Sequence, residues 1–208
     1  ADHATILFKG YPIFYFPKHS WVLEGRGSGF LTPSYDKYND PLYSDESSIF
    51  HDPDHKKSYR LRIPYYFNIA PDRDLILAYT YMSSRGSMIE GKYRQLFWRN
   101  KTTKEEYGAT EEEYKDSIFE IESEYLFSDD ITKLKRWLVN TTTELNIGDK
   151  THISAKYNRV SRNDVDYFKE IKHSETDLDR LLSHLEITYE DPENNFSTAL
   201  LTEDEQIV

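Results

Sequence analysis

Three glutamates at alternating positions, Glu120, Glu122 and Glu124, are the carboxylates best spaced for general acid–base chemistry in this sequence. In a β-strand, residues two apart project from the same face, so these side chains would form a row of like charges. Such a row is typical of a hydrated surface. The glycine-rich segment 25–29 also lacks the spacing of a phosphate-binding loop. We therefore predict that the protein is not an enzyme.

Metal-ligating residue types cluster once, where His51 and His55 flank Asp52 and Asp54. Their spacing matches no recognised ligand pattern, so we predict no metal and no cofactor. Cysteine is absent from the 208 residues, which excludes disulfides, thiolate metal sites and a cysteine nucleophile within the chain.

The composition disfavours nucleic acid as a partner, because the net charge is −11 and phosphate binding needs a basic surface. Aromatic residues make up 15% of the chain, and tyrosine and tryptophan are typical of the belts at membrane–water interfaces. A tyrosine-rich soluble β protein is the alternative at this point. No apolar run approaches the ~18 residues that a membrane helix needs. No signal peptide is visible, and both ends look like cuts through a longer sequence.

Period-two alternation of apolar and polar residues predicts about nine β-strands in an antiparallel meander. They are predicted at residues 30–38, 59–69, 74–82, 88–98, 117–127, 136–144, 150–160, 182–189 and 196–202. Segment 59–69 is the clearest: its polar face carries Arg60, Arg62, Pro64, Tyr66 and Asn68, and two arginines on one face indicate contact with water.

The connections alternate between short turns, as at residues 70–73, and long polar loops at 38–58 and 161–180. Short and long connections in alternation are typical of an outer-membrane barrel. The acidic segment 99–116 breaks the pattern, and we expect it to be a solvated helical or disordered insertion. Residues 1–28 are predicted to be the tail of a separate β-domain with a hinge, or else an irregular start to the same sheet.

Two prolines fall inside predicted strands, Pro33 and Pro64. Because proline has no N–H to donate, they predict weak pairing between the first two strands. This weakness fits either ordinary bulges or a first strand that must separate from the last.

Several motifs, in this order, resemble the lipopolysaccharide-assembly proteins of the LptD family, also called organic solvent tolerance proteins. The most specific is the run Ile63-Pro64-Tyr65-Tyr66-Phe67-Asn68-Ile69-Ala70-Pro71. The others are residues 11–17, 27–33, 81–86, 90–94, 136–137, 157–161 and 166–168, so the resemblance spans most of the chain.

The resemblance implies an all-β fold in two parts. Residues 1–28 would be the last strands of a periplasmic β-jellyroll, and residues 29–208 the N-terminal strands of a large, here incomplete, transmembrane β-barrel. It also implies lipopolysaccharide transport and insertion at the cell outer membrane, with release through a lateral gate at the first strands. The implied partners are lipopolysaccharide, outer-membrane lipid, a lumen-plugging LptE-like lipoprotein and an LptA-like periplasmic bridge protein.

The resemblance assigns two sets of site residues. The lateral gate would comprise Phe30, Leu31, Pro33, Leu61, Ile63 and Pro64, and the lumen would be lined by Arg60, Arg62, Tyr66 and Asn68. A porin or uptake channel, and a soluble carbohydrate-binding β-sandwich, are the alternatives. The loop 39–57 and the insert 99–116 look longer than is usual in the family.

Overall fold

The computed structural model describes residues 2–8, 11–18, 27–38, 58–106, 109–161, 164, 166–172 and 180–207. Strand β1 (Asp2–Phe8) pairs antiparallel with β2 (Tyr11–Lys18) in a small sheet of its own. All other strands of the described residues belong to a second sheet, which begins at Gly29. The histidine cluster at 51–55 and the loop 39–57 lie outside the described residues, and the jellyroll assignment of residues 1–28 stays a prediction.

The second sheet is an antiparallel meander in which, from β4 onward, each strand pairs with the next, as the alternation predicted. Its strands are β3 (Gly29–Phe30), β4 (Ser34–Tyr38), β5 (Ser58–Ala70), β6 (Arg73–Met82), β7 (Gly86–Glu106), β8 (Ala109–Leu126), β9 (Arg136–Ile147), β10 (Thr151–Val160), β11 (Arg180–Asp191) and β12 (Phe196–Ile207). Strands β3 and β4 both pair with β5 and occupy one predicted strand, so the nine predicted segments are confirmed.

The acidic segment 99–116 is not a helical or disordered insertion, and that expectation was wrong. Its residues continue β7 and β8, which stay paired from Arg99↔Asp116 to Glu106↔Ala109. At about 3.3 Å per residue, this hairpin extends the two strands by roughly 26 Å. Three threonines and two tyrosines stand among the charges of this segment, and both residue types favour strands.

The two ends of the sheet differ in their connections. The end that carries the β7–β8 hairpin, here the hairpin end, has short turns such as Pro71–Asp72 and Gly148–Lys150. The opposite end carries residues 83–85, 127–135 and the connection that follows β10, and we call it the strap end.

The pairing register keeps one side-chain parity from β5 to β10, apart from register shifts at 68–70 and 96–98, so the sheet has two chemically distinct faces. Between these shifts the polar face carries the even-numbered residues, because Arg60 pairs with Met82, Glu90 with Glu124 and Glu144 with Ser154. The apolar face carries the odd-numbered residues, and in β12 it carries Leu200, which pairs with Ile187. Many large side chains of the apolar face are between 36% and 61% exposed: Tyr59, Phe67, Ile69, Leu77, Tyr79, Tyr81, Ile89, Tyr125, Tyr157 and Leu200.

The buried core lies on the polar face, at the strap end. It contains Met82, Met88, Leu126, Leu138, Val160 and Leu181, closed over by Tyr167 and Ile171. Tyr167 begins and Ile171 directly follows α1 (Tyr167–Glu170), a single helical turn in the β10–β11 connection. In the described part of the chain, no helix is long and apolar enough to cross a membrane.

Leu138→Ala should lower the free energy of unfolding by about 2–5 kcal/mol, the usual cost of truncating a fully buried leucine. The leucine is 0% exposed in the core, whereas Leu134 is 64% exposed in the preceding loop. Leu134→Ala is therefore the matched control and should change stability by less than about 0.5 kcal/mol. Denaturant unfolding of the purified protein, followed by tryptophan fluorescence, measures both. Equal effects of the two variants would contradict the assigned core.

Candidate functional site

The first strand is attached to β5 in two pieces with different register. Gly29 and Phe30 pair with Tyr66 and Tyr65, and the N–H of Leu31 donates to the Pro64 carbonyl at 2.9 Å. Ser34 then pairs with Arg62, one position out of step. Thr32 and Pro33 therefore stand opposite a single residue, Ile63, in the manner of a β-bulge. We call the pairing of β3 and β4 with β5 the first-strand junction.

Pro64 does not interrupt β5, which runs unbroken from Ser58 to Ala70. Its carbonyl accepts from Leu31, so its backbone polar groups face the first strand and not β6. In an antiparallel ladder such a pair normally exchanges two hydrogen bonds, but Pro64 has no N–H and the pair keeps one. The loss falls entirely on the first-strand junction, because toward β6 the pair Pro64↔Ala78 is a non-hydrogen-bonded one.

The predicted gate residues all lie in this junction, but they do not share a face. Phe30, Leu61 and Ile63 are on the apolar face, whereas Leu31 and Pro64 are in register with the polar face. Phe30 is 50% exposed and contacts Tyr65 edge to face, with ring centroids 4.9 Å apart. That these residues form a lateral gate stays a prediction.

The predicted lining residues Arg60, Arg62, Tyr66 and Asn68 do share one face, the polar face of β5. The Arg62 side chain pairs with Glu90 at 2.6 Å. The hydroxyl of Tyr66 donates to Asp74 at 3.1 Å. Their role as the lining of a lumen stays a prediction.

Ion pairs continue across the polar face from strand to strand. Arg94 binds Asp74 through two nitrogens, at 2.8 and 2.9 Å. Lys92 lies 2.8 Å from Glu120 and 2.6 Å from Glu122. These pairs are partly exposed to solvent, and the polar face as a whole carries both positive and negative charges, which suits a hydrated surface. Of the glutamates predicted to form a row, Glu120 and Glu122 are thus partners of Lys92.

The connection after β10 crosses the polar face at the strap end, and we call its described residues 161, 164 and 166–172 the strap. Successive residues of the strap contact successively earlier strands of the sheet. Asp164 binds Arg136 of β9, and Tyr167 donates to Glu124 of β8 at 2.9 Å. Ile171 then accepts a hydrogen bond from Arg60 of β5 through its carbonyl.

A buried ion cluster holds the strap. Glu170 of the strap accepts hydrogen bonds from Arg85, at 3.0 Å, and from Arg136. Asp129 accepts from the same two arginines, at 2.8 and 3.0 Å. The Arg85 and Asp129 side chains are 0% exposed, and Arg136 is 4% exposed. Removing one member of such a cluster is costly, because it leaves a buried charge without its partner.

The turn before β7 positions Arg85 in this cluster. Gly86 has a φ of +100°, a backbone conformation that residues other than glycine rarely adopt. A Cβ at this position would also lie 3.0 Å from the carbonyl oxygen of Ser128. Glycine is therefore required where the chain turns to direct Arg85 into the interior.

Two protonation states in the cluster follow from its geometry. Burial opposes ionisation of Asp129, but the Ile131 N–H and the two arginines outweigh it, so the pKa of Asp129 is lower than its ordinary 3.8. Burial raises the pKa of Tyr167, and the nearby Glu124 carboxylate raises it further. Tyr167 is therefore neutral and serves as a hydrogen-bond donor.

Sequence reasoning missed the strap. The sequence predicts a long polar loop at 161–180, yet Tyr167, Glu170 and Ile171 are buried. The one signal was an aromatic pair, Tyr167-Phe168, among charged residues. The partners of that pair lie in strands far away in sequence, so local composition could not reveal them.

The fold and these surfaces define a class: an all-β antiparallel meander with an exposed apolar face, a hydrated polar face and a weakly paired first strand. No family model matches the chain. Curated proteins named "LPS-assembly protein LptD" do match it. The one from Methylococcus capsulatus (strain Bath) is 38% identical over 97 residues, which are 46% of the chain and 8% of that protein.

Other relatives of the same name cover more of the chain. The protein from Paraburkholderia xenovorans (strain LB400) is 31% identical over 164 residues, which are 78% of the chain and 17% of the relative. The one from Pseudomonas aeruginosa (strain LESB58) is 28% identical over 180 residues, 86% of the chain and 16% of the relative. The predicted resemblance to the LptD family is thus confirmed, and the chain is similar to a segment of these much longer proteins.

Pro64→Ala should strengthen the first-strand junction, because the new N–H faces Leu31 and can complete the pair. One neutral hydrogen bond is worth about 0.5–1.5 kcal/mol, so exchange of the Leu31 amide should slow by about 2- to 12-fold. Hydrogen exchange with mass spectrometry on peptides covering 27–33 measures this. Pro71→Ala, in the β5–β6 turn, is the control. Unchanged or faster exchange in Pro64→Ala would contradict the assigned geometry.

Acid should weaken the ion cluster at Asp129. Because its folded pKa is depressed, its contribution to stability is present above the ordinary value of 3.8 and is lost as the pH falls through the lower folded pKa. Denaturant midpoints measured from pH 7 down to pH 2.5 should therefore fall mainly below about pH 4. Asp129→Asn should be less stable at pH 7 and lose part of this dependence. A wild-type midpoint that rises with acid would contradict the assignment.

Proposed function

We infer that this chain is part of an outer-membrane protein that transports lipopolysaccharide and inserts it into the outer leaflet. Its weakly paired first strand would serve as one side of a lateral gate. The observation that carries this inference is the first-strand junction, where a bulge at Pro33 and the missing N–H of Pro64 reduce the pairing of one strand only. The name of the curated relatives, which refers to LPS assembly, supports it.

The two faces of the sheet suit a lipid that has a saccharide part and an acyl part. The exposed aromatic and aliphatic residues of the apolar face favour contact with hydrocarbon and with the membrane interface. The polar face, with its ion pairs between β5 and β8, suits a water-filled interior that accommodates sugars and phosphates. A soluble β-sandwich would be expected to bury the apolar face instead.

The gate requires the first strand to move relative to its neighbours. A strand that keeps its full ladder resists this movement, because each backbone hydrogen bond must be broken without a replacement in the bilayer. At the Leu31–Pro64 pair this cost is smaller, because the pair has one backbone hydrogen bond to break and not two. Acyl chains would pass beside Phe30, Leu31, Leu61 and Ile63, while Arg60, Arg62, Tyr66 and Asn68 face the saccharide.

The partners follow from the same proposal. Lipopolysaccharide would arrive through an LptA-like periplasmic bridge protein and the domain that contains residues 1–28. An LptE-like lipoprotein would occupy the interior against the polar face, and outer-membrane lipid would surround the apolar face. Transport of this kind breaks and forms no covalent bond, so the protein would not be an enzyme.

Site-specific photocrosslinking in the full-length protein, in cells that make lipopolysaccharide, tests the proposal. A photoreactive residue at Leu31 or Ile63 should capture lipopolysaccharide, because both positions lie in the junction. A residue at Arg62 should capture it on the polar face. The same residue at Leu134, exposed in the β8–β9 loop, is the matched control and should give a much weaker adduct.

Other outcomes would point elsewhere. An outer-membrane protein that captures no lipopolysaccharide at any of these positions would be better described as a porin or uptake channel. A product that is monodisperse in water without detergent would favour a soluble carbohydrate-binding β-sandwich. Either result would overturn the transport proposal.

A further inference from the structure

We propose that the strap fastens the strap-end half of the first strand to the sheet. The first strand then separates from β5 at its hairpin end first, and Tyr38 at the other end is the hinge. This inference rests on the proposed function only in naming the movement as the opening of the gate. The asymmetry itself is a property of the described residues.

The strap-end half of the first strand is paired more extensively than the other half. β4 pairs with β5 at five consecutive positions, from Ser34↔Arg62 to Tyr38↔Ser58. Its side chains add to this ladder. Tyr35 stacks on Tyr59 with ring centroids 6.0 Å apart, and the Tyr38 hydroxyl lies 2.9 Å from the hydroxyl of Ser84 in the β6–β7 turn.

Within the described residues, the hairpin-end half is paired with β5 at fewer positions. β3 pairs with β5 at two positions, and the bulge at Pro33 separates it from β4. The Phe30–Tyr65 ring contact, the single bond between Leu31 and Pro64, and a hydrogen bond from the Asn68 N–H to the Ser28 hydroxyl hold it. Phe30 and Leu31 are 50% and 40% exposed.

Arg60 connects the strap-end half to the strap. Its guanidinium lies 5.5 Å from the ring centre of Tyr38, within the range of a cation–π contact. The same guanidinium donates to the carbonyl of Ile171 and approaches the Met82 sulfur at 3.6 Å. One side chain of β5 thus contacts the end of the first strand on one side and the strap on the other.

The ion cluster fixes the position of that carbonyl. Ile171 follows Glu170 directly, and Glu170 is held by Arg85 and Arg136. The strap also binds β8, through the Tyr167 hydroxyl and the Lys172 ammonium on Glu124. Movement of Arg60 away from the sheet would therefore separate it from a strap anchored to β8, β9 and the β6–β7 turn. The Tyr38 end of the first strand is the fixed end.

Hydrogen–deuterium exchange on the full-length protein in detergent, with no lipopolysaccharide added, tests this hinge. Amides of residues 34–38 should exchange at least about tenfold more slowly than those of 27–31, the factor for one hydrogen bond to a charged group. Arg60→Met keeps the length of the side chain but removes its charge and its donors. It should speed exchange at 34–38 by about tenfold and leave 27–31 unchanged.

Glu170→Gln removes the charge that pairs with both arginines, which weakens the hold on the strap, and should also speed exchange at residues 34–38. Glu186→Gln, on β11 away from the strap, is the matched control and should leave both segments unchanged. If Glu170→Gln unfolds the protein, Arg60→Met alone decides. Equal exchange in the two halves of the wild-type strand, or no response to Arg60→Met, would overturn the hinge.

The result is separable from the transport proposal. If exchange is asymmetric and responds to Arg60→Met, but Leu31 never captures lipopolysaccharide in cells, the hinge stands and the transport proposal fails. If Leu31 captures the lipid and exchange is uniform along the strand, the opposite holds.

Discussion

One geometric constraint underlies the sheet: successive side chains of a strand point to opposite faces, and the pairings from β5 to β10 keep the same parity apart from register shifts at 68–70 and 96–98. Between these shifts, a slip of one residue would place arginines among exposed tyrosines and leucines. The polar face, the apolar face and the buried core at the strap end all depend on this register. The first strand has a register shift of its own, between Leu31 and Ser34.

The effect of a proline in this sheet depends on which neighbouring strand its missing N–H would have faced. In β5 the backbone groups of even-numbered residues face the first strand, so a proline at position 64 weakens that junction and leaves the β5–β6 ladder whole. The same residue at 63 or 65 would have weakened the β6 side instead. The ion cluster has the opposite effect, because it strengthens the attachment of the strap, which no strand pairing joins to the sheet.

Alternation alone predicted the nine strand segments and the membership of the two faces, since both depend on local periodicity. It also indicated weak pairing at Pro33 and Pro64. It could not tell which neighbour of β5 loses the hydrogen bond, because that depends on the pairing partner. The hairpin 99–116 was misjudged on its glutamates, whose placement depends on the opposite strand. The burial of Arg85 and Arg136 results in part from contacts with a strap that local sequence does not reveal.

The order of contacts along the strap has a consequence for how the chain folds. Each β5–β9 group that binds it precedes it in sequence, and Arg60 and Ile171 are separated by 111 residues. Closing so long a loop is entropically costly unless the intervening hairpins have already formed, since their neighbour-to-neighbour pairing shortens the effective path. We therefore expect the strap to dock late, after β5 to β10 have paired in turn. The contact through Arg60 that links Tyr38 to the strap would then form only after the chain up to Ile171 has folded.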